Sequence, residues 1–225
     1  LVQPHGYTRP RVVAAECGKA VQAADVLFVT ERYPASEPTI PGITGQTSVD
    51  AVKSEGPVPA NFVPDLNTVH HLVGNVMQEG DLLLTLGAGN VHEAGAKLAR
   101  DLAIVDELVR FTGIDSSKVK LYEPMRKHTT IKSGGPAQFW CEQNTFESFR
   151  ELSSFFLERG MPVTIMGRGS NLIVRNGGIR GAVIHPHSGE FSDIRVEGEL
   201  ITAGAGVRLK KVAAAAHAAG LSGFE

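Results

Sequence analysis

The first hundred residues alternate short apolar runs with amphipathic stretches. The runs at 26–30 and 81–86 are continuous and apolar, which is typical of parallel strands buried on both faces. Shorter strands are predicted at 1–4 and 61–63. Helical patterns separate these strands, and they cover residues 10–24, 44–55, 65–78 and a stretch from about 91 to 102. Such alternation predicts an α/β domain over residues 1–102, with a parallel sheet covered by helices on both faces.

The pattern weakens after residue 102 and then changes. Residues 103–120 lack a clear buried face and include a turn-rich stretch at 112–117, so we predict a linker there. An amphipathic helix is predicted at 144–159, where Asn144 and Glu147 resemble a capping box. Its apolar face is predicted to form core and consists of Phe146, Phe149, Leu152 and Phe156.

The remainder of the chain predicts an α+β domain over residues 121–225. Strands are expected at 163–166 and 172–174, on either side of a glycine-containing turn. A hairpin is expected at 194–202, folding back around 197–199, and a final helix at 207–219.

Charge and composition exclude some classes of partner. With 42% hydrophobic and 20% charged residues, the chain is ordinary for a globular protein, and a net charge of −2 gives no attraction to nucleic acid or anionic membrane. No apolar run approaches the roughly 18 residues that span a bilayer. Cys17 and Cys141 are far apart, so we expect two reduced thiols in a cytoplasmic protein and no disulfide or metal site. The chain does not begin with Met and opens on a strand end, so we expect a segment to precede it.

The turn that follows the strand at 163–166 has the composition of a phosphate-binding loop. It contains Gly167, Gly169, Ser170 and Asn171. Glycine lets the main chain approach an anion closely, and successive N–H groups in a turn form an anion-binding concavity. A plain β-turn explains the same residues, and from this turn alone both interpretations stay open.

Three further stretches, at 128–137, 176–184 and 203–207, accompany this turn in a fixed order. Together the four resemble the amino-terminal FAD-binding half of the UDP-N-acetylenolpyruvoylglucosamine reductase family, which has the vanillyl-alcohol-oxidase-like FAD fold. The resemblance covers residues 121–225 and implies FAD as cofactor and NADPH as co-substrate. It also implies a set of residues near the FAD diphosphate, namely Gly167, Gly169, Ser170 and Asn171, with Gly204 and Gly206 beside the cofactor. Gly134 and Gly135 are interpreted as a supporting turn or as purely structural glycines.

Three motifs in the first half resemble the carboxy-terminal domain of the UDP-N-acetylmuramate–L-alanine ligase family, a Rossmann-like α/β domain. They are Gln3-Pro4-His5-Gly6-Tyr7-Thr8-Arg9, the stretch 31–37 and the stretch 80–89. The family uses ATP and Mg²⁺ to join L-alanine to UDP-N-acetylmuramate, and the resemblance implies substrate binding by His5, Tyr7 and Arg9. Gly6 departs from the family, which frequently has Arg there. His5 and Arg9 also fit a second interpretation, as surface residues at a strand end.

The turn at 87–90 lacks the last glycine of a dinucleotide fingerprint, so we interpret it as close packing of a helix on a strand. Taken together, the resemblances imply part of a bifunctional fusion in peptidoglycan precursor synthesis that acts on UDP-linked amino sugars. The catalytic residues of both reactions are expected outside these 225 residues, so the chain alone is expected to be inactive. Two alternatives stay open: another vanillyl-alcohol-oxidase-like flavin oxidoreductase joined to an unrelated domain, or a non-catalytic scaffold module.

Overall fold

The chain forms two compact units, Leu1–Leu102 and Ala103–Glu225. The computed structural model describes residues 1–7 and 16–223. None of the helices in this described part is both long and apolar enough to cross a lipid bilayer.

The first unit contains a four-stranded parallel sheet in the order β3-β2-β1-β4. Its strands are β1 (Val2–Gln3), β2 (Leu27–Thr30), β3 (Ala60–Val63) and β4 (Leu86–Gly87). The helices that begin in this unit are α1 (Gly45–Glu55), α2 (Leu66–Gly74) and α3 (Val91–Thr112). A parallel sheet with helical connections confirms the predicted α/β class.

Strand β2 is the centre of this sheet. All four of its residues are buried, as expected for a parallel strand covered on both faces. Leu27 and Val29 pack in one apolar cluster with Val49 and Val52 of α1. The alternate residues Phe28 and Thr30 point to the other face of the strand and are also buried.

The predicted buried strand at 81–86 is wrong. Only Leu86 and Gly87 pair, with Val2 and Gln3 of β1. Leu82, Leu84 and Leu86 are 82%, 59% and 52% exposed. This segment is therefore the edge of the sheet in the described structure, and an apolar sequence was insufficient to bury it.

Two predicted helices of this unit differ from the observed ones at their ends. The helix predicted at 65–78 has Asp65 as its N-cap, accepting from the Asn67 amide at 2.9 Å, but it ends at Gly74. The helix predicted at 10–24 falls partly outside the described residues. Its described part is α-helical over 16–20 and continues as a 3-10 turn, Val21–Ala23.

The predicted linker is largely structured. Helix α3 continues to Thr112, and a short 3-10 helix follows at Ser116–Lys118. Leu108 is fully buried in the same cluster as Ile114 and Phe155, and residues 104, 105 and 109 pack against it. Residues 104, 105, 108 and 109 form one apolar stripe on helix α3. Charged residues stand between them in the sequence and obscure this pattern. The assignment of 103–120 as a linker is therefore corrected for its helical part.

The second unit contains a mixed sheet in the order β5-β6-β8-β7. Strands β5 and β6 are antiparallel, whereas β8 is parallel to both of its neighbours, β6 and β7. A separate hairpin is formed by β9 and β10. The elements are β5 (Val119–Pro124), β6 (Pro136–Gln143), α4 (Phe146–Glu158), β7 (Val163–Ile165), β8 (Ile179–Pro186), β9 (Ile194–Glu197), β10 (Leu200–Ala203) and α5 (Leu209–Ala218).

Helix α4 provides much of the core of this unit, with one correction at its start. Thr145, not Asn144, is the N-cap, because its side chain accepts from the Ser148 amide. Leu152 and Phe156 are fully buried as predicted, but Phe146 is 64% exposed. Phe146 lies about 120° around the helix from Leu152, which takes it away from the buried face.

The predicted strand at 172–174 is also wrong. Ile173 is 79% exposed, and these residues lie in the connection between β7 and β8. Parallel neighbours need a crossover of about a dozen residues, and residues 166–178 provide it. The hairpin at 194–202 and the final helix are confirmed, with Gly198 and Gly220 in the left-handed region at φ +60° and +71°.

Candidate functional site

The glycine turn of the second unit begins where β7 leaves the sheet. Met166 is still tied to the sheet, since its amide donates to the Ile184 carbonyl at 3.0 Å. Gly169 has φ +63°, and a Cβ there would lie 2.2 Å from the His128 carbonyl oxygen. Any larger residue would therefore be strained and would also clash with the backbone of the loop after β5.

The hydrogen bonds of this turn are one-sided. The Met166 carbonyl accepts from His185 Nδ1 at 2.8 Å, and the Gly169 carbonyl accepts from the Thr130 amide at 3.2 Å. Over residues 1–7 and 16–223, no protein group accepts a hydrogen bond from the amides of residues 167–171. Carbonyls tied back and successive N–H groups left without protein acceptors are the arrangement that binds anions.

A cavity of about 260 Å³ lies beside the turn. Gly167 and Gly206 line it, together with the cationic side chains of Lys127 and Arg168. Small-molecule pockets usually have volumes of about 300–1,000 Å³. This cavity therefore suits one anionic part of a larger ligand.

Four aromatic rings form a row, and the three histidines among them line this cavity. His128 stacks on the buried Trp140 with 3.9 Å between ring centroids, and Trp140 lies 5.1 Å from His185. His185 and His187 are nearly parallel, also at 5.1 Å. Burial lowers the pKa of His185, although its hydrogen bond to Met166 acts in the opposite direction. The ring is therefore neutral at neutral pH, with its proton on Nδ1.

A carboxylate in β5, next to a residue with positive φ, contacts this row. Tyr122 is a buried aromatic residue at φ +54°, which is uncommon for a bulky side chain. Tyr122 and Glu123 are consecutive in β5 and both buried, so the usual alternation of a strand is broken here. Glu123 contacts His128 Nε2 at 2.9 Å and Lys127 Nζ at 3.3 Å. Glu123 thus contacts two residues that line the cavity.

The sequence-predicted cofactor residues differ in whether they line the cavity. Gly167 and Gly206 line the cavity, Gly169 is buried beneath the turn, and Ser170 and Asn171 are exposed. The amides of Gly204 and Gly206 donate to the carbonyls of residues 193 and 191, at 2.9 and 2.8 Å. These two glycines can therefore support a ligand by close approach, but not through their N–H groups.

Gly134 and Gly135 have structural reasons for being glycine. A Cβ on Gly135 would lie 1.9 Å from the Asn176 carbonyl oxygen, and Gly134 has φ +131°. The cavity-lining residues that sequence reasoning missed include all the cationic and histidine side chains: Lys127, His128, Arg168, His185 and His187. His128 and Arg168 were visible inside the quoted motifs. The two later histidines carried no signal, because only the pairing of β8 with β7 brings them to the turn.

In the first unit, the three quoted motifs meet at one edge of the sheet. His5 forms a β-bridge with Tyr33, and the Gly6 amide donates to the Tyr33 carbonyl at 2.9 Å. The Gln3 side chain accepts from the Val91 amide at 3.1 Å, at the start of α3. Strand order changes direction between β1 and β4, and ligands of open α/β sheets bind at such a point.

Arg32, in the second of these motifs, donates hydrogen bonds to the first motif and to the start of α1. It is 8% exposed and donates to the carbonyls of Gly6 and Thr44, at 3.0 and 3.2 Å. It also donates to Ser48 Oγ at 2.9 Å. Gly6 adopts φ +67°, so the position where the ligase family frequently has Arg is left-handed backbone in this chain.

Two of the three predicted substrate residues, His5 and Tyr7, lie within the described residues and differ in exposure. His5 is exposed, whereas the side chain of Tyr7 is only 5% exposed and its amide donates to the Glu37 carboxylate. Arg9 lies outside the described residues. Of the three, only His5 therefore presents its side chain to solvent in the described structure.

The second glycine turn of the chain, at 87–90, is filled by protein atoms. A Cβ on Gly87 would lie 2.7 Å from the Gln3 carbonyl oxygen, and one on Gly89 would lie 2.5 Å from Gln3 Oε1. The interpretation as close packing is confirmed.

Comparison with known proteins finds one family model and two kinds of relative. Residues 142–223 match the family model described as an FAD binding domain. The chain is 43% identical over 106 residues to the UDP-N-acetylenolpyruvoylglucosamine reductase of Desulforamulus reducens, covering 47% of this chain and 35% of that protein. The reductase of Lactococcus lactis subsp. cremoris (strain SK11) is 43% identical over 107 residues, covering 48% of this chain and 35% of that protein.

A relative of a different kind matches over a similar length. The UDP-N-acetylmuramate--L-alanine ligase of Geotalea daltonii is 41% identical over 102 residues, covering 45% of this chain and 22% of that protein. The chain therefore spans about a third of the reductases and about a fifth of the ligase. The resemblance to both families that the sequence motifs predicted is confirmed, and the matches are those expected of a fusion of two partial proteins.

Proposed function

We propose that residues 121–223 hold FAD for a reductase that converts UDP-N-acetylenolpyruvoylglucosamine to UDP-N-acetylmuramate with NADPH. The observation that carries this proposal is the turn at 167–171, whose amides have no acceptor among the described residues. Lys127 and Arg168 add positive charge at the same cavity. Main-chain donors and fixed cations are the groups that recognise a diphosphate.

The residues present fit the diphosphate of FAD. In this proposal the amides of Gly167 and Ser170 and the side chain of Asn171 donate to phosphate oxygens, while Gly206 allows close approach. The cavity of about 260 Å³ would receive the diphosphate of FAD. When bound, FAD supplies hydride transfer between the nicotinamide and the substrate. The vanillyl-alcohol-oxidase-like type of this domain is part of the proposal.

For the first unit, we propose the carboxy-terminal part of a ligase that joins L-alanine to UDP-N-acetylmuramate with ATP and Mg²⁺. Supporting this proposal, the three ligase-like motifs meet at the strand ends where α/β sheets bind ligands. Of His5, Tyr7 and Arg9, we propose that His5 and Arg9 face the substrate, where a planar guanidinium would grip a carboxylate or acyl phosphate, and that the buried Tyr7 supports this segment.

The two proposed activities are consecutive, since the product of the reductase is the substrate of the ligase. A bifunctional protein would supply both activities for peptidoglycan precursor synthesis in the cytoplasm at a fixed ratio. The residues that perform either reaction are proposed to lie outside these 225 residues. Purified chain should therefore show no FAD-dependent NADPH oxidation and no ATP-dependent ligation, and turnover in either assay would contradict this.

FAD binding by the full chain tests the proposed site directly. Titration of FAD, followed by quenching of its fluorescence, should give a saturable curve for the unchanged chain. The substitutions Lys127→Gln and Arg168→Gln should each weaken binding about tenfold, because each removes one charge-assisted contact. Both should also reduce the salt dependence of binding.

Arg195→Gln is the matched control, because Arg195 is an exposed cation on β9 that does not line the cavity. It should leave FAD affinity unchanged. Equal affinity of all four proteins, or no saturable binding by the unchanged chain, would refute the proposed site.

A further inference from the structure

A side chain outside the glycine motif holds the start of the turn. His185 lies in β8 and donates from Nδ1 to the Met166 carbonyl at 2.8 Å. The same strand accepts the Met166 amide through the Ile184 carbonyl at 3.0 Å. The last residue before the turn is thus held on both of its backbone polar groups. One of these contacts comes from the main chain and the other from a side chain.

Because the peptide bond is planar, the contact between His185 and the Met166 carbonyl also affects the next N–H group. In a trans peptide the C=O of one residue and the N–H of the next point in opposite directions. No cis peptide occurs in the described part of the chain. His185 therefore fixes the direction of the Gly167 N–H by holding the Met166 carbonyl. The Thr130 amide has the same relation to the Ser170 N–H, through the Gly169 carbonyl.

We infer that His185 is a positioning residue of the anion site, which orients the Gly167 N–H for a diphosphate by holding the Met166 carbonyl. This inference rests on the proposed FAD function and names a residue that the glycine motif does not contain. The ring is itself held, because it lies between Trp140 and His187 in the aromatic row. A fixed donor keeps the peptide between Met166 and Gly167 in one orientation before the ligand binds. Binding therefore costs less conformational entropy.

Two substitutions of His185 test this role, because one keeps a hydrogen-bond donor and the other removes it. In His185→Asn, the side-chain amide nitrogen occupies nearly the position of Nδ1 and can still donate to Met166. In His185→Leu, the side chain has a similar size and no donor. His185→Phe preserves the stacked ring without the donor, and it replaces the Leu variant in the comparison if that variant is unfolded. His217→Phe is the control for loss of a histidine, since His217 is exposed on α5 and does not line the cavity.

ADP is the probe, because it carries the diphosphate without the flavin. The full chain, labelled with ¹⁵N-glycine, is titrated with ADP, and the Gly167 amide signal is assigned by its loss in Gly167→Ala. In the unchanged chain the Gly167 signal should shift with ADP. His185→Leu should weaken ADP binding about tenfold and abolish this shift, whereas His185→Asn should restore both to within about threefold. Thermal unfolding and Trp140 fluorescence establish that each variant is folded.

The outcomes separate this inference from the proposed function. If the folded His185→Leu or His185→Phe variant binds ADP as tightly as His185→Asn and retains the Gly167 shift, the positioning role is refuted while the diphosphate site stands. If the unchanged chain binds neither ADP nor FAD, the proposed function fails and this inference fails with it.

Discussion

The two glycine turns of this chain look alike in sequence and differ in what surrounds them. Each contains Gly-x-Gly after an apolar segment, at 87–89 and 167–169. In the first turn, Gln3 atoms occupy the space beside both glycines, and the Gln3 side chain accepts from the first amide of the following helix. In the second, the space beside Gly167 is open and the amides of the turn have no acceptor among the described residues.

This difference shows what makes a glycine turn a candidate binding site. Glycine permits close approach of protein atoms at both glycines of the first turn and at Gly169 of the second, but the space beside Gly167 is left open to a ligand. The space beside the glycines is therefore more informative than the motif, because open space at a glycine can admit a ligand.

The largest expected effect comes from Gly169→Ala. The new Cβ would lie 2.2 Å from the His128 carbonyl oxygen and would sit on left-handed backbone at φ +63°. Overpacking and strain together should lower the free energy of unfolding of the second unit by about 2–4 kcal/mol. Urea unfolding measures this loss, with Gly177→Ala as control because nothing lies within 4 Å of its Cβ position. Equal stability of the two variants would show that the turn is looser than described.

The next effect should come from Gln3→Leu in the first turn. It removes the acceptor of the Val91 amide at the start of α3, so the first unit should lose about 1–2 kcal/mol. Because this turn is structural, FAD affinity should not change. Hydrogen exchange of the β2 amides reports the stability of this unit, and Gln78→Leu on the surface is the control. A large loss of FAD affinity would contradict a purely structural role for this turn.

Acid should destabilise the first unit by a comparable or smaller amount. Burial lowers the pKa of His70 from 6.5 to about 3, and burial also lowers the pKa of His71. The unfolded chain therefore takes up the proton first, so the free energy of unfolding is highest above pH 6.5 and falls as pH decreases towards 3. Between pH 7 and 5.5 His70 alone should account for about 1 kcal/mol.

Hydrogen exchange of the β2 amides at the two pH values measures this dependence. The substitution His70→Gln should flatten it, because glutamine does not titrate. An equally steep dependence in that variant would assign the effect to other groups.

The smallest effect should come from Gly167→Ala. Nothing lies within 4 Å of its Cβ position, so the free energy of unfolding should change by less than about 1 kcal/mol. The same urea unfolding experiment as for Gly169→Ala gives the value. A loss as large as that of Gly169→Ala would show that the open side of the turn is occupied by protein.

Much of the fold was predictable where a local pattern and its packing agree. The run containing β2 is apolar throughout and is buried on both faces, and α2 begins at the predicted cap, Asp65. The same rule failed at 81–86, where an apolar run is largely exposed and only Leu86 pairs with β1. Burial of a strand depends on its neighbours in the sheet, and these are not encoded within the strand.

The candidate site was predictable only in part, for a related reason. Gly169 was recognisable from its motif, and the structure explains it by a close approach to His128. His185 was not recognisable, because it lies far along the chain and reaches Met166 through the parallel pairing of β7 and β8.

The sequence by itself determined the division into two kinds of domain, the helical and strand segments with strong periodicity, and the two families that the chain resembles. These follow from local composition and from motifs that are contiguous in the chain. Only the tertiary structure decided that the space beside Gly167 is open, which cations join the turn at 167–171, and that His185 holds its first peptide. Hydrogen-bond partners distant in sequence settle these points, and they meet only when the strands pair.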